Sequence, residues 1–140
     1  MRFSEARGLP VVTLGEAREL GVLHSLALDA AAGRITHLRV AGPRGRRKET
    51  AVAWRALHAM GPDAVLVVSD VPPDPGPPGP RNEVLGLRVL SEEGEERGTV
   101  QDLVFDPATG RIDKVVTTLG EVGGDRLLGL GDYALVVRSG

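Results

Sequence analysis

One phrase occurs twice in this chain, and that repetition limits what the chain can fold into more than any other feature. Gly21-Val22-Leu23-His24-Ser25-Leu26-Ala27-Leu28-Asp29, three spacers and Gly33-Arg34-Ile35 return as Gly98-Thr99-Val100-Gln101-Asp102-Leu103-Val104-Phe105-Asp106, three spacers and Gly110-Arg111-Ile112. An ungapped repeat points to a duplicated structural unit. The phrase consists of apolar ribbons and turn residues, which predicts a hairpin in each copy. Asp29 and Asp106 can accept hydrogen bonds from amides two or three residues on, as in an Asx turn. Pro107 presets φ for a type I turn. Gly33 and Gly110 suit the left-handed position that closes a longer hairpin with a bulge. We therefore read Asp29, Gly33, Asp106 and Gly110 as structural turn residues without a catalytic role.

The duplication divides the chain into residues 1–70, a spacer at 71–80 and residues 81–140. The spacer, Val71-Pro72-Pro73-Asp74-Pro75-Gly76-Pro77-Pro78-Gly79-Pro80, holds six prolines in ten residues. It lacks the amides needed for a sheet ladder and reads as a semi-rigid linker. The first half predicts five short strands near 9–14, 22–28, 35–40, 50–53 and 64–68. A helix is expected over 54–60, where Trp54, Leu57 and Met60 are three apart and Gly61-Pro62 follows. The second half predicts strands near 85–90, 99–105, 112–118, 126–128 and 133–137. Three consecutive apolar residues in Leu26-Ala27-Leu28 and in Leu103-Val104-Phe105 suggest a bulge or two covered faces. The fold class is all-β: two small barrels in tandem with a short helix in the first, closed so that no edge is exposed.

Each half alone would bury only ~60% of its unfolded surface, so the halves should pack on each other or on a second copy as a homodimer. Residues 1–70 carry ten Arg or Lys against seven Asp or Glu, a net +3, and residues 81–140 carry seven against eleven, a net −4. Opposed signs favour one half facing the other, although charges of this size are also ordinary scatter. Cysteine is absent, which excludes disulfides and thiolate metal sites. No apolar run approaches the length of a membrane span, and the first residues carry no apolar signal core, so a cytoplasmic location is expected.

The pattern G-x-V-x-D-L-x-x-D-x₃-G-R-I followed by an apolar strand resembles the PRC-barrel. That module is named for the cytoplasmic part of the photosynthetic reaction centre H subunit, and it also forms the C-terminal domain of a ribosome maturation factor. The second copy fits best; the first departs from the pattern with Ser25 in place of Asp. Ala53-Trp54-Arg55-Ala56-Leu57 and Met60-Gly61-Pro62-Asp63-Ala64-Val65 resemble the family's closing turn and last strand, and Gly123-Gly124 with Leu127 to Tyr133 looks like a variant of it. The resemblance implies a tandem pair of small β-barrels used for protein binding or assembly, with no general catalytic residues to carry over. Fold does not by itself fix function.

The remaining constellations are weak. His24 and His37 should lie on neighbouring strands, but zinc wants three or four ligands, and Gln101 and Lys114 stand in their places in the second copy. Arg44, Arg46, Arg47 and Lys48 form the sharpest charge cluster; they read as a solvated loop or as a contact for RNA or an acidic partner. Glu92-Glu93-Gly94-Glu95-Glu96 reads as a solvated hairpin turn without the spacing of a calcium loop. Residues 120–131 read as a structural glycine-rich loop, since no phosphate-binding motif is present. No serine sits in G-x-S-x-G. We assign no catalytic, cofactor-binding or metal-ligating residue. The leading expectation is a non-enzymatic scaffold or adaptor that binds a protein partner. The alternatives are a ribosome- or RNA-associated maturation factor and a module that senses a small ligand or metal.

Overall fold

The structure is a computed structural model and describes residues 1–42, 49–68 and 84–139. The proline-rich spacer and Arg44, Arg46, Arg47 and Lys48 lie outside the described residues. One short helix, α1 (Phe3–Ala6), precedes twelve strands: β1 (Pro10–Thr13), β2 (Glu19–Asp29), β3 (Arg34–Ala41), β4 (Glu49–Ala53), β5 (Leu57–Met60), β6 (Val65–Val67), β7 (Arg88–Ser91), β8 (Glu96–Phe105), β9 (Ile112–Thr117), β10 (Gly120–Gly123), β11 (Leu127–Leu130) and β12 (Ala134–Val137). A 3₁₀ turn joins β4 to β5 (Trp54–Ala56), and another joins β10 to β11 (Gly124–Arg126).

The strands form two six-stranded sheets with the same order, β4-β3-β2-β1-β6-β5 and β10-β9-β8-β7-β12-β11. Each has one parallel contact, β1 with β6 and β7 with β12. The halves superpose in sequence in three registers. The first strands match with Val11 on Val89, and the long hairpins match with Leu26 on Leu103. Everything from β4 or β10 onward matches with Trp54 on Gly124 and Val65 on Leu135. Seven residues of the first copy, between Ala41 and Glu49, thus have no counterpart, and they contain the Arg44–Lys48 cluster.

Both hairpins bulge where three apolar residues run together. The register slips between Ala27 and Leu28 against β3, and between Val104 and Phe105 against β9. The extra residue on the partner strand lets Leu26 and Ala27, and likewise Leu103 and Phe105, turn inward. The core is one apolar cluster that spans both halves and includes Phe3, Leu26, Ile35, Leu103, Phe105 and Ile112. The halves pack on each other within one chain.

Three expectations are corrected. Residues 54–60 are not a helix: the 3₁₀ turn ends at Ala56, and Leu57–Met60 pairs with β6 as a strand. The three-residue spacing mimicked a helix, but the main-chain bonds go into a ladder. The helix lies instead at Phe3–Ala6. The glycine-rich 120–131 segment is not a loop; it holds β10, a 3₁₀ turn and β11, and with β5 in the first half this gives each half six strands rather than five. The barrels are not closed, because the chain turns through the 3₁₀ segment to opposite ends of each sheet and leaves β4, β5, β10 and β11 as edges. All four are four or five residues long, and short edges limit unwanted pairing.

Candidate functional site: the two seams between the halves

The turn of each hairpin is fixed locally. Asp29 Oδ1 accepts the Ala32 amide at 3.1 Å and Asp106 Oδ1 accepts the Ala108 amide at 2.9 Å. Gly33 and Gly110 follow with φ of 66° and 78°, in the left-handed region. These closures bring the same three residues of each copy together. The Ile35 amide donates to the Gly110 carbonyl at 2.8 Å, and the Ile112 amide donates to the Gly33 carbonyl at 2.9 Å. Arg34 and Arg111 pair antiparallel between them. Each bond maps onto the other when the copies are exchanged, so an approximate two-fold axis passes between Arg34 and Arg111. Bonds that flank a pair in this way define the non-hydrogen-bonded type, with Cα atoms ~4.5 Å apart and side chains on one face. Both arginines are exposed.

Two seams flank this axis, and they differ. At the first, Trp54 reaches across from the first half. Its ring stands edge-on to Phe105, centroids 5.8 Å apart and planes at 86°. The indole also lies against Gly110, where a Cβ would come within 2.8 Å of Nε1. The chain's first residues close the rest. The Phe105 amide donates to the Met1 carbonyl at 2.9 Å, the Met1 ammonium donates to the Phe105 carbonyl at 3.2 Å, and Arg2 bridges Val104. Asp102 anchors α1 by accepting the Ser4 amide at 2.9 Å and the Ser4 hydroxyl, with the Arg2 guanidinium at 3.7 Å. Phe105 is 1% exposed.

At the second seam each counterpart is reduced. Leu28 replaces Phe105, Gly124 replaces Trp54 and Ser25 replaces Asp102. Gly124 is held against β9, where a Cβ would collide with the Ile112 carbonyl, and its own carbonyl lies 3.0 Å from the Cβ position of Gly33. A hollow of about 370 Å³ lies beside this seam, lined by Leu28, Asp29, Ala30, Thr36, Leu128 and Leu130. Because the Ile35 amide turns to Gly110, the Leu28–Ile35 pair is also non-hydrogen-bonded, and the Leu28 main chain points away from β3. Ser25 is 1% exposed, and its hydroxyl has no hydrogen-bond partner among the described residues.

Elsewhere, a second hollow of about 250 Å³ lies beside β10, among Glu96, Arg97, Leu119, Glu121, Arg126 and Arg138. Among the described residues, Leu119 and Tyr133 are the most exposed large apolar side chains, at 72% and 65%. The Arg88 guanidinium covers the Tyr133 ring and donates to its hydroxyl at 2.6 Å. His37 faces Ala27 in the ladder, three residues from His24, and its Nδ1 lies 3.0 Å from the Thr36 hydroxyl. Among the described residues no group of three or more His, Cys, Asp or Glu could hold a metal ion. The Glu92–Glu96 segment is a hairpin turn, in which the Ser91 hydroxyl accepts the amides of Glu93 and Glu95. No helix among the described residues is long and apolar enough to cross a membrane.

Sequence reasoning missed the docked first residues and the Trp54–Gly124 substitution. The latter becomes visible only when the closing turns are aligned in their own register, which differs from that of the hairpins.

No curated protein matches the chain. The family model of the PRC-barrel domain matches residues 80–140, which take in β7 to β12. The second half of the chain is therefore similar to a PRC-barrel domain, and the first half repeats the second's strand order, bulged hairpin and turn residues.

Proposed function

We propose that the chain is a non-enzymatic protein-binding or assembly module, a scaffold or adaptor working in the cytoplasm. The observation that carries this reading is the unequal pair of seams. A duplicated fold that seals one seam with Trp54 and its own first residues has a hollow of mixed polar and apolar lining beside the other, next to a strand edge. Such a surface suits contact with another chain better than bond-making chemistry. The test is affinity capture with the immobilised full chain, followed by rebinding of each enriched protein in purified form. Reproducible enrichment with direct rebinding supports the reading. No protein enriched above a mock bait, or none that rebinds, contradicts it.

A second reading, association with the ribosome or RNA, is favoured by one observation. The seven residues present only in the first copy carry Arg44, Arg46, Arg47 and Lys48. Cations placed together in this way gain affinity by releasing counterions from phosphates. Gradient sedimentation of lysate at low salt tests it. Co-migration with ribosomes that is lost in the Arg46→Glu, Arg47→Glu double variant supports it, and a chain that stays in the free fraction contradicts it.

A further inference from the structure

We infer that the hollow beside β10 binds phosphate, as the free ion or as the head of a small phosphomonoester. This goes beyond the protein-binding reading and does not depend on it. Arg97 comes from β8, Arg126 from the 3₁₀ turn after β10 and Arg138 from the chain just past β12. Three separate elements thus bring three guanidiniums to one space of about 250 Å³. The fold does not require arginine at any of these places, because the first copy carries Leu20, Ala56 and Val68 there. The main chain confirms the equivalence. The Val68 amide donates to the Ala56 carbonyl at 2.8 Å, and the Arg138 amide donates to the Arg126 carbonyl at 2.7 Å. Glu19 and Glu96, which precede Leu20 and Arg97, face the equivalent Val12 and Leu90 in their ladders. Three differences between the copies, each an apolar side chain against an arginine, therefore converge on one hollow. They do so in the half whose net charge is −4, so a generally basic composition does not account for them.

The chemistry of the ligand follows from how these charges are partnered. Glu96 and Glu121 also line the hollow, but each pairs with a cation that does not: Glu96 with Arg88 at 3.6 Å and Glu121 with Lys114 at 2.9 Å. Arg97 has only the exposed Glu95, at 3.8 Å, and such a pair contributes little. Arg126 Nη2 donates to the Arg138 carbonyl at 2.9 Å, a bond that orients its fork and leaves its charge uncompensated. The Arg138 guanidinium forms no ion pair with a described residue. Guanidinium forks match the oxygens of phosphate and carboxylate alike. A phosphate brings three terminal oxygens and nearly two negative charges to three arginines, where a carboxylate brings two oxygens and one charge. Glu96 and Glu121 can accept hydrogen bonds from hydroxyls next to the phosphate.

The test is titration of inorganic phosphate and, separately, of glycerol 3-phosphate into the isotope-labelled full chain. Saturable shifts of the Arg97, Glu121 and Arg138 amides at millimolar concentration or below, absent with sodium chloride of matched ionic strength, are expected. Tighter binding of glycerol 3-phosphate assigns the hollow to a phosphomonoester, and equal or weaker binding assigns it to the free ion. Arg97→Leu, Arg126→Ala and Arg138→Val install the residues that the first copy folds with, and each should weaken binding about tenfold. Arg138 is exposed, so Arg138→Gln removes its charge without touching the core and serves as a second variant should a reversion fail to fold. Arg55→Ala, at an exposed arginine outside the hollow, should leave binding unchanged. No saturable shift with either probe up to tens of millimolar, shifts reproduced by chloride, or unweakened binding by the hollow variants overturns the inference. So does a short oligoribonucleotide that shifts the same amides at lower concentration than either probe, which assigns the arginines to RNA.

Discussion

At Phe105, a buried ring is held by an indole, by the chain's first residues and by the anchoring carboxylate of Asp102. At Leu28, the same ladder position in the other copy has a smaller side chain, a glycine in place of the indole and an unpartnered hydroxyl in place of the carboxylate. The two places share strand order, bulge and turn, so the duplicated scaffold does not account for the difference. Three substitutions do. They make the two seams unequal: one is sealed by an aromatic pair, and a hollow lies beside the other.

Stability measurements on paired variants can break or sharpen this contrast. The largest effect belongs to Phe105→Ala. Removing a fully buried aromatic ring should cost ~3–5 kcal/mol in urea unfolding. Leu28→Ala should cost only about 1–2 kcal/mol, because the hollow already leaves one side of Leu28 without contacts. Equal losses at the two sites would erase the distinction between the seams.

Gly110→Ala comes next, at about 2–3 kcal/mol, since a left-handed φ is combined with a contact against Trp54 that must give way. In the Trp54→Ala background part of that cost should disappear, because the contact is gone and only the backbone strain stays. Additive losses in the double variant would show that the indole does not rest on Gly110.

Asp102→Ala should cost about 2 kcal/mol, since it strands the Ser4 amide and the Leu103 amide, which also donates to Oδ1 at 2.9 Å. Its counterpart Ser25→Ala should be neutral or slightly stabilising, because it removes a buried hydroxyl that has no partner. A clear loss at Ser25 would mean that the first copy is anchored as the second is.

The smallest effect concerns the axis itself. Arg34→Glu replaces two like charges facing each other with an attractive pair and should stabilise the chain by ~0.2–1 kcal/mol at low salt. The gain should fade as salt rises.

Much of this architecture was legible in the sequence, and for a local reason. The Asp-to-Gly closure of each hairpin is chemistry contained within five residues, so Asp29, Gly33, Asp106 and Gly110 identify it without tertiary information. Of the edge strands, β4 and β11 were legible and β5 and β10 were not. Gly120-Glu121-Val122-Gly123 has a single apolar side chain, and its pairing with β9 comes from chain direction rather than from pattern. Leu57–Met60 carries a spacing that suits a helix, and only the ladder with β6 decides otherwise. The helix at Phe3–Ala6 is four residues long and leans on Asp102, far along the chain from Ser4. No local signal specifies such a contact. The difference between the seams was hidden for a related reason: it turns on Trp54 and its counterpart Gly124, and that comparison requires knowing where the extra seven residues lie.

The account depends on the two hairpins meeting at one point, with Arg34 against Arg111. The most direct test is a nuclear Overhauser measurement between the α-protons of these two residues in the labelled full chain. A non-hydrogen-bonded antiparallel pair brings these protons close and predicts a strong cross-peak, together with slow exchange of the Ile35 and Ile112 amides. An absent cross-peak with rapid exchange of both amides would show that the halves do not join there, and the two seams would not exist.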